Sequence, residues 1–184
     1  MNTFMNWLAD SFVPKSNKIL SKPWISALGS TMQKVIPFIL TGSVIFLYNV
    51  LVSFFPSLPD LGPISDFSFG IISLIVAFTI ANQCMEKLGH PSYMINAGIA
   101  SIGVFLMVAI PIGEDADSIS ALMNHVSASG IAVAMITGLF TSIIFHLWAK
   151  LQFLKDSSIP DFVSSWINTV VPNLISLGVI MIMV

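Results

Sequence analysis

The sequence predicts an all-α membrane protein, a helical bundle of about five transmembrane helices with an N-terminal amphipathic interfacial helix. Three observations predict it. Of 184 residues, 55% are hydrophobic and 9% charged, where a soluble domain carries about 25% charged residues to wet its surface. Five windows contain no Asp, Glu, Lys or Arg and are long enough to cross about 30 Å of hydrocarbon as helix: residues 35–55, 67–85, 93–113, 130–149 and 162–184. Each window is apolar throughout, with no alternation at period two, which rejects an outer-membrane barrel.

Residues 1–33 read as an interfacial segment ahead of a bundle over 34–184. Phe4, Trp7, Leu8 and Phe12 recur at spacings of three and four, which makes one apolar helical face, and Pro14 is expected to end that helix. Ile19, Leu20, Trp24, Ile25 and Leu28 oppose Lys15, Lys18 and Lys22 in a second amphipathic stretch suited to lie among anionic headgroups. Only Asp10 is charged before Lys15, and no apolar core of signal-peptide length occurs, so this is not a secretory signal.

The lysines orient the spans. Lys15, Lys18, Lys22 and Lys34 precede the first, Lys87 lies between the second and third, and Lys150 and Lys155 follow the fourth; there is no arginine. Cytoplasmic loops accumulate Lys and Arg. The N-terminus, residues 86–92 and residues 150–161 are therefore expected inside, and residues 56–66 and 114–129 outside. In the outer loop Glu114, Asp115 and Asp117 form an acidic cluster, followed by a short surface helix around Ile119, Leu122, Met123 and Val126 capped by Asp117 or Ser118. The fifth window holds Pro172 in its interior and ends at Val184 without a charged or aromatic flank. A helix interrupted there would leave about 12 residues, or ~18 Å, beyond the break, so the chain reads as cut short.

A net charge of -2 without arginine offers no phosphate-binding surface. Nucleic acid is not a partner. The lone cysteine, Cys84, sits in an apolar run and reads as a small buried residue, not a phosphate-carrying nucleophile. No glycine-rich phosphate loop, nucleophile with a base, or His/Asp/Glu metal spacing is present, so no catalytic residue, metal or cofactor is expected. The absence of ionisable residues from the five windows, His146 near the inner interface excepted, disfavours ion coupling.

Four polar residues remain as substrate-contact candidates: Asn82, Gln83, Asn96 and His146. The first three fall at similar depth around the short inner loop. They either satisfy one another across the helix pair or line the inner mouth of a path for a neutral polar substrate, whose hydroxyls need donors and acceptors but no charge. His146 reads either as an interfacial hydrogen-bonding group or as part of a cytoplasmic substrate gate. Gly130, Ala134, Gly138 and Ser142, with His146 next in line, recur every four residues. Such a ridge of small side chains is a helix-contact surface, for an internal neighbour or for a dimer partner.

The order of Lys34-Val35-Ile36-Pro37-Phe38-Ile39-Leu40-Thr41-Gly42-Ser43 opening the first span, Gly138-Leu139-Phe140 in the fourth and Ile159-Pro160-Asp161 before the fifth resembles the membrane subunit IIC of the bacterial phosphotransferase system, lactose/cellobiose (chitobiose) type. The resemblance covers nearly the whole chain and corresponds to the first half of such a subunit. It implies a multi-pass protein of the bacterial plasma membrane that helps import a disaccharide such as cellobiose, lactose or chitobiose. It also implies a cytoplasmic IIB subunit whose phosphocysteine phosphorylates the sugar, and pairing with a second half or as a homodimer. The family's sugar contacts lie mainly in the second half, so the resemblance transfers no sugar-binding residue here. A non-transporting membrane scaffold or accessory protein derived from a IIC subunit is the alternative, and an unrelated small transporter working as a dimer of five-helix units is a third.

Overall fold

The computed structural model describes residues 12–55, 57–109, 118–151 and 160–183. The described elements are all helical, and five segments are long and apolar enough to cross a membrane: Pro23–Val52, Gly62–Lys87, Pro91–Ala109, Ala128–Leu151 and Phe162–Met183. This is the predicted all-α membrane bundle.

Prolines open many of the helices, because a residue with no N–H and a fixed φ fits the first turn, where that N–H has no helical acceptor. Pro14 stands in the first turn of α1 (Val13–Leu20), Pro23 in that of α2 (Pro23–Val52) and Pro63 in that of α3 (Gly62–Ser68). Pro91 likewise starts a 3-10 turn, Pro91–Tyr93, that leads into α5 (Met94–Ala109). A 3-10 turn at Phe69–Ile71 joins α3 to α4 (Ile72–Lys87). The remaining elements are α6 (Ser118–Val126), the 3-10 turn Ala128–Gly130, α7 (Ile131–Leu151) and α8 (Asp161–Met183).

Two expectations need correction. The second amphipathic stretch is not a single helix: Ile19 and Leu20 end α1, whereas Trp24, Ile25 and Leu28 belong to the first turns of α2, which runs 30 residues without a break. At ~1.5 Å per residue that is about 45 Å, enough to cross the hydrocarbon and leave its lysine-bearing start beyond it. The helix is likewise continuous through Pro172, so α8 is 23 residues long, or about 35 Å. Pro172 is fully buried, and its carbonyl accepts the Ser176 hydroxyl in the following turn at 2.7 Å. The face carrying Phe4, Trp7 and Leu8, and the cluster Glu114, Asp115 and Asp117 with its cap, lie outside the described residues. On the described side, Pro14 begins a helix, and the short surface helix is present as α6.

Helix α4 lies at the centre, packed against α2, α5 and α7. Several of its contact residues are small and fully buried: Ala77 clusters with Ala134 on α7, Ala81 with Ala97 and Ala100 on α5 and Phe145 on α7, and Cys84 with Ala27 on α2. Helix α8 packs on α5 and α7 at the rim. The outward side of α2 shows Leu40, Val44, Phe46 and Leu47 well exposed, as a lipid-facing surface should.

Candidate functional site

The polar side chains of interest gather where α4 ends and α5 and α8 begin. The turn that ends α4 is a Schellman cap: the Gly89 N–H bonds the Glu86 carbonyl and the His90 N–H bonds the Met85 carbonyl, at 3.2 and 2.9 Å. Gly89 has φ +79°, a conformation that costs little only without a Cβ. That turn delivers His90 to α7, where its Nε2 lies 3.0 Å from Nδ1 of His146. One ring nitrogen donates and the other accepts, and the edge of Trp24 on α2 meets the His146 ring at a centroid distance of 6.0 Å. Burial first, and then the charge of Lys150, hold His90 below its usual pKa of 6.5.

Asn82 and Gln83 belong to a different group. The Gln83 amide nitrogen donates to Glu86 Oε2 at 2.7 Å and to Asn82 Oδ1 at 3.4 Å, and Lys34 of α2 reaches the same Glu86 oxygen at 3.8 Å. Residues 83 and 86 are neighbours on one helical face, so this network pins the end of α4 to α2. Gln83 is buried, and its amide is used up there.

Asn96 points to neither of them. Its Nδ2 donates to Thr169 Oγ1 on α8 at 3.3 Å, and the Thr169 hydroxyl donates in turn to the Ser165 carbonyl at 3.0 Å. Ser92, Tyr93, Asn96, Ser165, Asn168 and Thr169 line a half-open cleft of about 180 Å³. The four candidates of the sequence are thus divided among three places, and Asn82, Gln83 and Asn96 do not satisfy one another as a set. The position of each along its helix was legible; the direction each side chain takes around its helix depends on which neighbour it meets.

Sequence reasoning passed over His90, Glu86, Ser92, Ser165, Asn168 and Thr169. The last three carried a signal: with Asn173 and Ser176 they recur at spacings of three and four through an otherwise apolar span, which puts them on one side of α8. A larger cavity of about 380 Å³ lies between Ile39, Gly42, Phe46, Phe69, Ile72 and Ile131. It is apolar and offers no chemistry beyond the serine hydroxyls at its edge.

The small-residue row of α7 faces inward, with Gly130, Ala134, Gly138 and Ser142 all buried. A Cβ at Gly138 would overlap Ile80 Cγ2 and lie 3.1 Å from the Ala77 carbonyl oxygen on α4. At Gly130 it would collide instead with the carbonyl of His125 in the preceding helix. Cys84 is a free thiol, fully buried, and among the described residues no group of three or more His, Cys, Asp or Glu could hold a metal.

Fold and site together define a multi-pass helical membrane protein whose polar clefts are small and uncharged. The chain is 25% identical, over an alignment of 197 residues, to YwbA of Bacillus subtilis (strain 168), provisionally named a permease IIC component; the alignment takes in 95% of this chain and 44% of that protein. The chain thus spans less than half the length of that relative. No family model matches the chain. No solved structure matches it either.

Proposed function

We propose that the chain acts as the first half of a phosphotransferase-type IIC permease. In this role it is a multi-pass component of the bacterial plasma membrane, with the N-terminus cytoplasmic. The bundle supplies scaffold and subunit contacts, while a disaccharide such as cellobiose, lactose or chitobiose is imported and is phosphorylated by a cytoplasmic IIB subunit. The observation that carries this reading is the similarity to a permease IIC component across 95% of the chain, along a bundle of five candidate spans. The polar groups agree with a scaffold role. Gln83 and Lys34 both reach the Glu86 carboxylate, and the open cleft beside Asn96 is small for a disaccharide, since sites enclosing drug-sized ligands run to roughly 300–1,000 Å³.

The test is equilibrium binding and uptake. Labelled cellobiose, lactose or chitobiose at micromolar concentration should give no saturable binding to the purified 184-residue chain. Co-expression with the part of a IIC subunit that follows this region in its relative should restore binding and IIB-dependent uptake. Tight binding by the chain alone would contradict the half-permease reading. Failure of every second half to restore transport, with co-purification of an intact IIC subunit, would favour the non-transporting scaffold.

A further inference from the structure

The apolar cavity beside α2 holds about 380 Å³ and is bordered by α2, α3, the head of α4 and the start of α7. Its wall on the α2 side depends on a glycine. The rings of Phe38 and Phe69 meet at a centroid distance of 4.8 Å, and Phe69 lies so close to Gly42 that a Cβ there would overlap the ring. Ile72 of α4, which also lines the cavity, is only 4% exposed. The Ser43 hydroxyl at the edge is bonded to the Ile39 carbonyl of its own helix at 3.1 Å. Past Val35, Gly42 is the only buried residue of α2, so this half of the helix has little protein to pack against.

Packing and access together decide what fills that space. Folded interiors are close-packed, with few voids larger than a water molecule, so a cavity of this size calls for an occupant. Water is a poor one, because each molecule needs several polar partners, and apolar cavities stay dry and take up apolar guests. Access is from the bilayer. Phe46, 69% exposed, and Ile39, 38% exposed, both line the cavity, and Phe46 shares the lipid-facing side of α2 with Leu40, Val44 and Leu47. Along the helix Ile39 and Phe46 stand ~8 and ~18 Å past Lys34, which places the opening within the ~30 Å of hydrocarbon. At that depth the cavity continues a surface already in contact with lipid chains.

We infer that this cavity binds an acyl chain of a membrane phospholipid, which enters between Ile39 and Phe46 and completes the packing of α2 against Phe69 and Ile72. The chain carries the recognition. No charged residue lines the cavity, so phospholipids with different headgroups and the same chains bind alike. The occupant is a resident lipid of the bundle, and its binding does not depend on the permease reading.

Photolabelling of the full 184-residue chain in nanodiscs tests it, with phosphatidylcholine and phosphatidylglycerol probes that carry a diazirine on one acyl chain. Adducts mapped by mass spectrometry should appear on Phe69 and Ile72 with either headgroup, and not on Val76 or Phe105, which are fully buried and do not line the cavity. Ser43→Phe and Ala128→Phe each add a ring at an exposed position on the lining, and each should remove the Ile72 adduct. Val44→Phe adds the same ring on the lipid-facing side away from the cavity and should label as the parent does. The Ile72 adduct should also persist when the chain is co-expressed with the part of a IIC subunit that follows this region. No adduct on Ile72 in the parent, or equal labelling in the parent and both filling variants, overturns the site. Loss of the adduct on co-expression would assign the cavity to the following half, and a Ser43→Cys disulfide between two copies in place of the lipid adduct, with Cys84→Ala as background, would assign it to a second copy of the chain; either overturns the lipid.

Discussion

The seam between α4 and α7 and the seam between α5 and α8 cross the same membrane and are built on opposite principles. In the first, Ala77, Ile80 and Ala81 meet Ala134, Gly138 and Ser142, and those small side chains let the backbones approach closely. In the second, Asn96, Ser165, Asn168 and Thr169 stand around an open cleft. Lipid tails are as apolar as leucine, so burial alone does not hold helices together in a bilayer; close packing and interhelical hydrogen bonds do. The α4–α7 seam relies on the former, while the α5–α8 seam carries the interhelical hydrogen bond from Asn96 to Thr169 beside its open cleft. One is suited to hold the bundle and the other to meet a solute.

The contrast is sharpest at Gly138. Replacing it with leucine places a branched side chain where even a Cβ would overlap Ile80, and overpacking of this kind costs about 1–3 kcal/mol. Unfolding of Gly138→Leu in mild detergent should show that loss, while Ser165→Leu at the cleft should stay within about 0.5 kcal/mol of the parent. Equal losses would remove the distinction between the seams.

A smaller effect is expected where the core does use a polar tie. The Ser101 hydroxyl on α5 donates to the Ala77 carbonyl on α4 at 2.8 Å, with both residues fully buried. Interhelical hydrogen bonds in membranes average about 0.6 kcal/mol and reach about 1.7. Ser101→Ala should cost an amount in that range, measured by the same unfolding assay; no change would mean that close packing alone holds α4 to α5.

The smallest effect is set by pH at the lysine-bearing end. His90 is held below 6.5 by burial and by Lys150, with the ring of His146 as its hydrogen-bond partner. The unfolded chain therefore takes up a proton at higher pH than the folded one does. The stability that His90 contributes is fully present above about pH 6.5 and is lost as pH falls through its lower folded value. Thermal midpoints in detergent should drop on acidification below pH 6.5, and the drop should shrink in His90→Gln. A midpoint that rises on acidification would give His90 the opposite sign.

What was legible in the sequence follows from the physics of lipid. Charge-free windows gave the five spans, because a charged residue in hydrocarbon is costly, and the start of the first was missed because Lys34 closes its window inside α2. Trp24, Ile25 and Leu28 look interfacial beside Lys15, Lys18 and Lys22, yet nothing between Trp24 and Lys34 breaks a helix, and α2 starts at Pro23. Pro172 looks like a break because a proline removes one backbone bond; the helix runs on through it, with Pro172 buried among its neighbours. At the site, Asn96 was legible as a polar group at a given depth, but its partner Thr169 lies 73 residues away on a helix that sequence periodicity cannot place beside it. His90 was missed because only the left-handed turn at Gly89 brings it to His146.

The ion pair of Lys34 with Glu86 and the field of Lys150 on His90 gather these lysines at one end of the bundle, and the cleft lies at that end too. The lysine-rich end of a membrane bundle is expected in the cytoplasm, and the proposed IIB coupling agrees with that orientation. Cysteine labelling in intact cells measures it directly, after Cys84→Ala removes the buried native thiol. Asp60→Cys and Asn124→Cys should react with a membrane-impermeant maleimide from outside, and Ser21→Cys should react only after the cells are opened. The reverse pattern would put the cleft on the outer face and contradict the orientation, the IIB coupling and the half-permease reading together.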